Sequence, residues 1–160
     1  MKSGVFILLT TGILACNNAD KKTENNDHSG HNKTELKTPE DSLYHDVMEG
    51  HDAVMPKMGK VRAAQKEAQR LLDSISTLPA KAQKEAGELK TKLETLVNDL
   101  NYSDFAMDKW MSEFNMDSAK NNMEQRLKYL TDEKMKVGKV KEAVLNGLAK
   151  ADSIFKAKIN

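Results

Sequence analysis

A single cysteine, Cys16, occurs in the 160 residues, so the chain can close no internal disulfide and build no multi-thiolate metal centre. Aromatic residues make up 5%, prolines number three, and no segment alternates apolar and polar residues as a half-buried strand does. An all-β fold is excluded on that pattern. Basic and acidic residues, 25 and 24, are finely interleaved with no long basic run, so no footprint for nucleic acid is present. Also missing are a Gly-x-Ser-x-Gly elbow, a phosphate-cradling glycine loop and a His-Glu-x-x-His pair. Neither the Cys-x-x-Cys-His of covalent haem nor the inward Glu-x-x-His of di-iron bundles occurs. The expectation is a protein that is not an enzyme.

The one long apolar run lies at the start. Lys2 supplies a positive charge and Val5 to Leu14 an apolar core too short to span a bilayer as a helix. It ends in Ile13-Leu14-Ala15-Cys16, two aliphatic residues, a small one and the lone cysteine. This resembles a bacterial lipobox. The resemblance implies that residues 1–15 are a lipoprotein signal peptide, removed before Cys16, and that Cys16 is lipidated on sulfur and on its new amine. Each buried acyl methylene contributes about 0.8 kcal/mol, so several chains anchor persistently. The implied location is the cell envelope, with the chain lipid-anchored to a membrane and facing the periplasm or the cell surface.

Residues 16–39 follow as a lipidated cysteine and a polar stretch whose only large aliphatic is Leu36. Such a composition buries too little surface to offset its ordering entropy and predicts a flexible, disordered linker. It contains Asp27-His28-Ser29-Gly30-His31-Asn32, in which His28 and His31 can share a Cu(II) or Zn(II) ion.

From residue 40 to 158 apolar residues recur at spacings of three and four, and the segment reads as a helical bundle. Pro39-Glu40-Asp41-Ser42 suits a helix start. The first helix carries Tyr44, Met48, His51, Met55, Met58, Val61, Ala64, Ala68, Leu72 and Ile75 on one face, until Thr77-Leu78-Pro79 ends it. Pro56 within it removes the partner of the Asp52 carbonyl and predicts a kink. The second helix repeats Ala82, Ala86, Leu89, Leu93, Leu96, Leu100. Asn101-Tyr102-Ser103-Asp104 then reads as a break, with a restart through Met107, Trp110, Met111 and Phe114. After Asn115-Met116-Asp117-Ser118 comes a last long helix from Met123 through Leu130, Val137 and Val144 to Phe155. At 1.5 Å per residue the first and last helices reach about 55 and 60 Å. The predicted fold is all-α, an elongated up-down-up three-helix bundle with a broken middle arm and a flexible N-terminal tether. A four-helix bundle, with the Trp110 segment folded across one end, is the alternative.

Folding the chain at Leu78 and near Met116 sets Met107, Met111 and Met123 level with Met48 and His51, and Met135 near Met58. His51 with Met48, Met55, Met107 and Met111 offers soft ligands for copper. A His/Met pair also suits haem. The same methionines serve equally as adaptable core packing beside a proline kink, or, if exposed, as a surface for a partner. His45-Asp46 and His51-Asp52 repeat a pair, but neighbours on a helix diverge by about 100°, so neither is expected to form an acid–base couple.

The run Tyr44-His45-Asp46-Val47-Met48-Glu49-Gly50-His51-Asp52-Ala53-Val54-Met55-Pro56-Lys57-Met58 is similar to a motif of small bacterial envelope lipoproteins carrying the label "viral A-type inclusion protein". Ala106-Met107-Asp108-Lys109-Trp110-Met111-Ser112-Glu113-Phe114 resembles a second, aromatic and Met-rich box of that group. The resemblance covers most of the body and implies a helical lipoprotein; the label reflects coiled-coil similarity and carries no biochemical role. Together the readings lead to a lipid-anchored, non-catalytic binding or structural module. The alternatives are a copper or heavy-metal binding or tolerance protein and a coiled-coil lipoprotein that pairs with a protein partner.

Overall fold

The computed structural model describes residues 38–157; the signal segment, Cys16, and the tether with His28 and His31 lie outside the described residues. The helices are α1 (Pro39–Asp52), α2 (Met58–Ser76), α3 (Ala80–Glu85), α4 (Gly87–Glu113) and α5 (Met123–Ala157), with a 3₁₀ turn at Met55–Lys57. No strand occurs among the described residues, and the body is an all-α bundle. None of its helices is long and apolar enough to cross a membrane.

Local chemistry explains where the helices start and stop. The Thr38 hydroxyl accepts the Asp41 amide at 3.1 Å while the Asp41 carboxylate accepts the Thr38 amide at 3.1 Å, a reciprocal cap. Pro39 fills the first helical position, where a missing N–H costs nothing, and Glu40 and Asp41 complement the helix dipole. Pro56 does more than bend the first arm. It ends α1 at Asp52, and the chain passes through the 3₁₀ turn before α2 begins. At the next turn the Gln83 side-chain amide donates to the carbonyls of Ser76 and Leu78, at 3.0 and 2.8 Å, satisfying acceptors the ended helix leaves open.

Side-chain pairs fix the directions of the three arms. Arg126 meets Glu40, Lys134 meets Asp46 and Val137 meets Gly50, so α1 runs parallel to α5. Trp110 meets Glu133 and Leu100 meets Gly147, so α4 is antiparallel to α5. Arg62 meets Asp104 and Gln65 meets Asn101, so α2 is antiparallel to α4. The result is up-down-up, with Val47, Val61, Leu93, Leu96, Leu100, Met107, Leu130, Val137 and Val144 buried along the common axis. Each such side chain contributes about 1.5–3 kcal/mol on burial.

Two sequence expectations are corrected. The middle arm does not break near Asn101: α4 is continuous from Gly87 to Glu113, and the interruption lies at Ala86, between α3 and α4. Ser103 is buried between Leu100 and Met107, and its hydroxyl donates back to the Asp99 carbonyl at 2.8 Å instead of capping a new helix. Trp110 consequently sits on α4 itself, and no cross-end helix forms there. Heights along α5 also shift. Arg126 lies opposite Glu40, so Met123 stands beside the start of α1 and not level with Met48, while Met135, next to Lys134, lies near the level of Asp46. The 114–122 connection uses up residues without advancing an arm. Met107 and Met111 do fall at the His51 level, since Trp110 between them touches His51.

Candidate functional site

The predicted Met/His group grades from dry core to solvent. Met107 is fully buried, Met48 and Met111 are half-buried, and Met55, on the 3₁₀ turn, is 39% exposed. The His51 side chain is 19% exposed, and its Nδ1 lies 2.8 Å from Asp52 Oδ1. The expectation that His51 and Asp52 would diverge is thus overturned. Asp52 is the last residue of α1, where the side chain is free to fold back on its neighbour. With Nδ1 held by a carboxylate, Nε2 is the nitrogen left to act as a ligand.

His51 also begins a ladder of rings across three helices. Its ring centroid is 5.7 Å from Trp110; Trp110 stacks on Phe114 at 5.0 Å, and Phe114 on Tyr129 at 6.3 Å. The Arg126 guanidinium lies 6.0 Å from the Tyr129 centroid, completing the series with a cation–π contact. Two buried charges brace it. Glu133 accepts Trp110 Nε1–H at 3.0 Å and Lys136 Nζ at 2.7 Å, and Glu133 in turn holds the Lys136 ammonium above its usual range. Arg126 donates to Glu40 at 2.8 Å and to the Ser118 carbonyl at 2.9 Å. Both charges fall on the apolar stripe of α5, with Leu130 and Val137 on the same side. A charge at a core-facing position was the available sequence signal for them.

A second group, not singled out as ligands in the sequence, is His45, Asp46 and Glu49, whose ligand atoms lie within 4.8 Å of one another. Lys134 Nζ occupies Asp46 at 2.7 Å, so a cation there competes with an ammonium already in place.

A further concavity of the body lies elsewhere. A groove of about 730 Å³ runs between α2 and the C-terminal half of α5, more than twice the cleft of about 310 Å³ between α4 and α5. Its origin is the Pro56 break. The first arm packs on α5 as α1, then turns so that α2 packs chiefly on α4 and only lightly on α5. The opened seam is lined by Ala63, Ala64, Leu145, Leu148, Ala149 and Phe155. Lys57, Lys60, Glu67 and Asp152 line it as its charged groups. No family model, no curated protein and no solved structure matches this chain.

Proposed function

We propose that the chain is a lipid-anchored, non-catalytic module of the cell envelope whose helical body binds a helical partner in the α2/α5 groove. The observation that carries this reading is the groove itself: apolar walls, small side chains that leave room, and charges along its length. These are the features by which an amphipathic helix is received in a groove. The lipobox-like start supplies the anchor, and the polar tether supplies the reach. Absence of any nucleophile–base motif in the sequence supports the non-catalytic part.

A dilute solution of the chain from residue 17 onward, titrated with the apolar fluorophore 8-anilinonaphthalene-1-sulfonate, tests the groove. Saturable binding, weakened about tenfold or more by Ala63→Glu without change in helicity, is expected. Binding indifferent to Ala63→Glu contradicts it. For the anchor, Cys16→Ser is expected to move the chain out of the membrane fraction.

A second reading, soft-metal binding, is favoured by one observation, the Asp52 carboxylate on His51 Nδ1. That arrangement orients the imidazole for a ligand at Nε2, with Met48 one turn earlier on α1, Met107 and Met111 on α4, and the Trp110 ring alongside.

A further inference from the structure

We propose that Met116 is a site of selective oxidation by peroxide to the sulfoxide, with Tyr44 as the acid that promotes the reaction. Among the described residues three methionines are equally open to water: Met116 is 56% exposed, and Met123 and Met135 are each 57% exposed. Exposure therefore gives none of the three an advantage, but their surroundings differ. The Tyr44 hydroxyl, on α1, donates to Met116 Sδ at 3.0 Å, whereas the sulfurs of Met123 and Met135 accept no hydrogen bond among the described residues. Met116 lies in the connection between α4 and α5, and the backbone on both sides of it is tied down. The Asn115 amide donates to the Tyr129 hydroxyl at 2.8 Å, and the Asp117 amide to Asn115 Oδ1 at 2.9 Å. The Ser118 carbonyl accepts Arg126 at 2.9 Å. These ties hold the sulfur beside the phenol in a side chain that is more than half open to water.

Hydrogen peroxide oxidises a thioether by a two-electron oxygen transfer. A sulfur lone pair attacks one peroxide oxygen, the O–O bond breaks, and the distal oxygen departs with the bonding pair. That oxygen must gain a proton to leave as water, and the S–O–H group left on sulfur must lose one to become the sulfoxide. Beside Met116 the Tyr44 hydroxyl can supply the first proton and recover the second. Thioether and peroxide then give sulfoxide and water, with the phenol unchanged. Turning the phenol from the sulfur to the departing oxygen costs little, because a thioether is a weak acceptor and a developing hydroxide a strong one. The product suits the same partner. A sulfoxide oxygen accepts a hydrogen bond better than the sulfur does, so Tyr44 keeps the connection tied to α1 after oxidation. Methionine sulfoxide is reducible by sulfoxide reductases, so Met116 can consume peroxide repeatedly, without the loss of packing that oxidation of the buried Met107 would bring.

Peptide mass spectrometry of the chain from residue 17 onward, sampled during treatment with dilute hydrogen peroxide, tests the site. The helical body of that chain carries its own core, and without Cys16 no thiol competes for the oxidant. Met116 is expected to oxidise at least about fivefold faster than Met123 and Met135. Tyr44→Phe, which keeps the ring and removes the proton, should bring Met116 to the rate of the other two and leave theirs unchanged. N-chlorosuccinimide, whose imide leaves as a stabilised anion with no need of a proton, should narrow the Met116 advantage to within about twofold. A Met116 rate equal to or below those of Met123 and Met135 overturns the proposal. So does an advantage that survives Tyr44→Phe, or one equally large with N-chlorosuccinimide, since either assigns it to access of the sulfur and not to the phenol. The comparison of the two oxidants needs no substitution, so it decides the matter even where Tyr44→Phe loosens the connection.

Discussion

Gly50 of α1 and Val137 of α5 meet so closely that a Cβ on Gly50 would lie 2.8 Å from Val137 Cγ1. This contact holds the first arm against α5 just before Pro56 releases it, and so sets where the seam begins to open. Gly50→Ala is expected to destabilise the bundle by about 1–3 kcal/mol, since the β-branched valine is stiff at χ1 within a helix and yields only at a cost. Gly50→Ala combined with Val137→Ala should recover part of the loss. Denaturant midpoints of the three variants check this; equal stability of Gly50→Ala and the parent contradicts it.

Glu133 is the buried anchor of the ring ladder. Trp110→Phe removes the donor to its carboxylate and is expected to cost about 1–3 kcal/mol. A double-mutant cycle of Trp110→Phe with Glu133→Leu, read by circular dichroism, should give a coupling of about 1.5–3 kcal/mol, the range for a hydrogen bond to a charged group. Additive effects would show the contact to be incidental.

Asp46 carries a pH dependence of known sign. The hydrogen bond from Lys134 is the main cause of a carboxyl held below its usual range, opposed by partial desolvation. The pair therefore stabilises the folded chain above the unfolded carboxyl value of about 3.9, and the contribution is lost as pH falls through the lower folded value. Its side chain is 35% exposed, so screening keeps the contribution below about 1 kcal/mol. Lys134→Met should raise the Asp46 titration, followed by carboxyl NMR, toward the ordinary value. An unmoved titration contradicts the pairing.

Trp110 is the only tryptophan and its ring lies 5.7 Å from that of His51, so it reports on any soft cation bound there. If His51 with its methionines holds copper, adding Cu(I) or Ag(I) should quench Trp110 fluorescence at one equivalent, and His51→Ala should abolish the effect. Fluorescence that ignores one equivalent of either ion assigns those methionines to packing.

The arms of the bundle were legible in the sequence because each buries one stripe, and a period of three and four marks it. Turn-forming residues misled at Asn101-Tyr102-Ser103-Asp104, where burial of Leu100, Ser103 and Met107 on one face overrides local preference. Arg126 and Glu133 escaped notice because a charge within an apolar stripe reads as an interruption until its partners on other helices are known. The proline break was legible, but its consequence was not. That α2 leaves α5 and opens a groove depends on which neighbour α2 packs against, and Ala63 and Ala149 lie outside the stripe that periodicity detects. The Met/His level was partly legible, as the His51–Trp110 contact shows, whereas Met123 was misplaced by the length of the connection before α5.

Site-resolved photo-crosslinking in cells tests the central claim, that the α2/α5 groove is the surface this body uses. A benzophenone side chain is introduced singly at Ala63, at Ala149 and, for comparison, at Met135, which is exposed on α5 outside the groove. The account predicts discrete crosslinked products from Ala63 and Ala149 that Met135 does not give and that a second substitution at the other exposed groove position, Ala149→Glu for the label at Ala63 and Ala63→Glu for the label at Ala149, removes. Equal yield at all three positions, or none at the two groove positions, contradicts it.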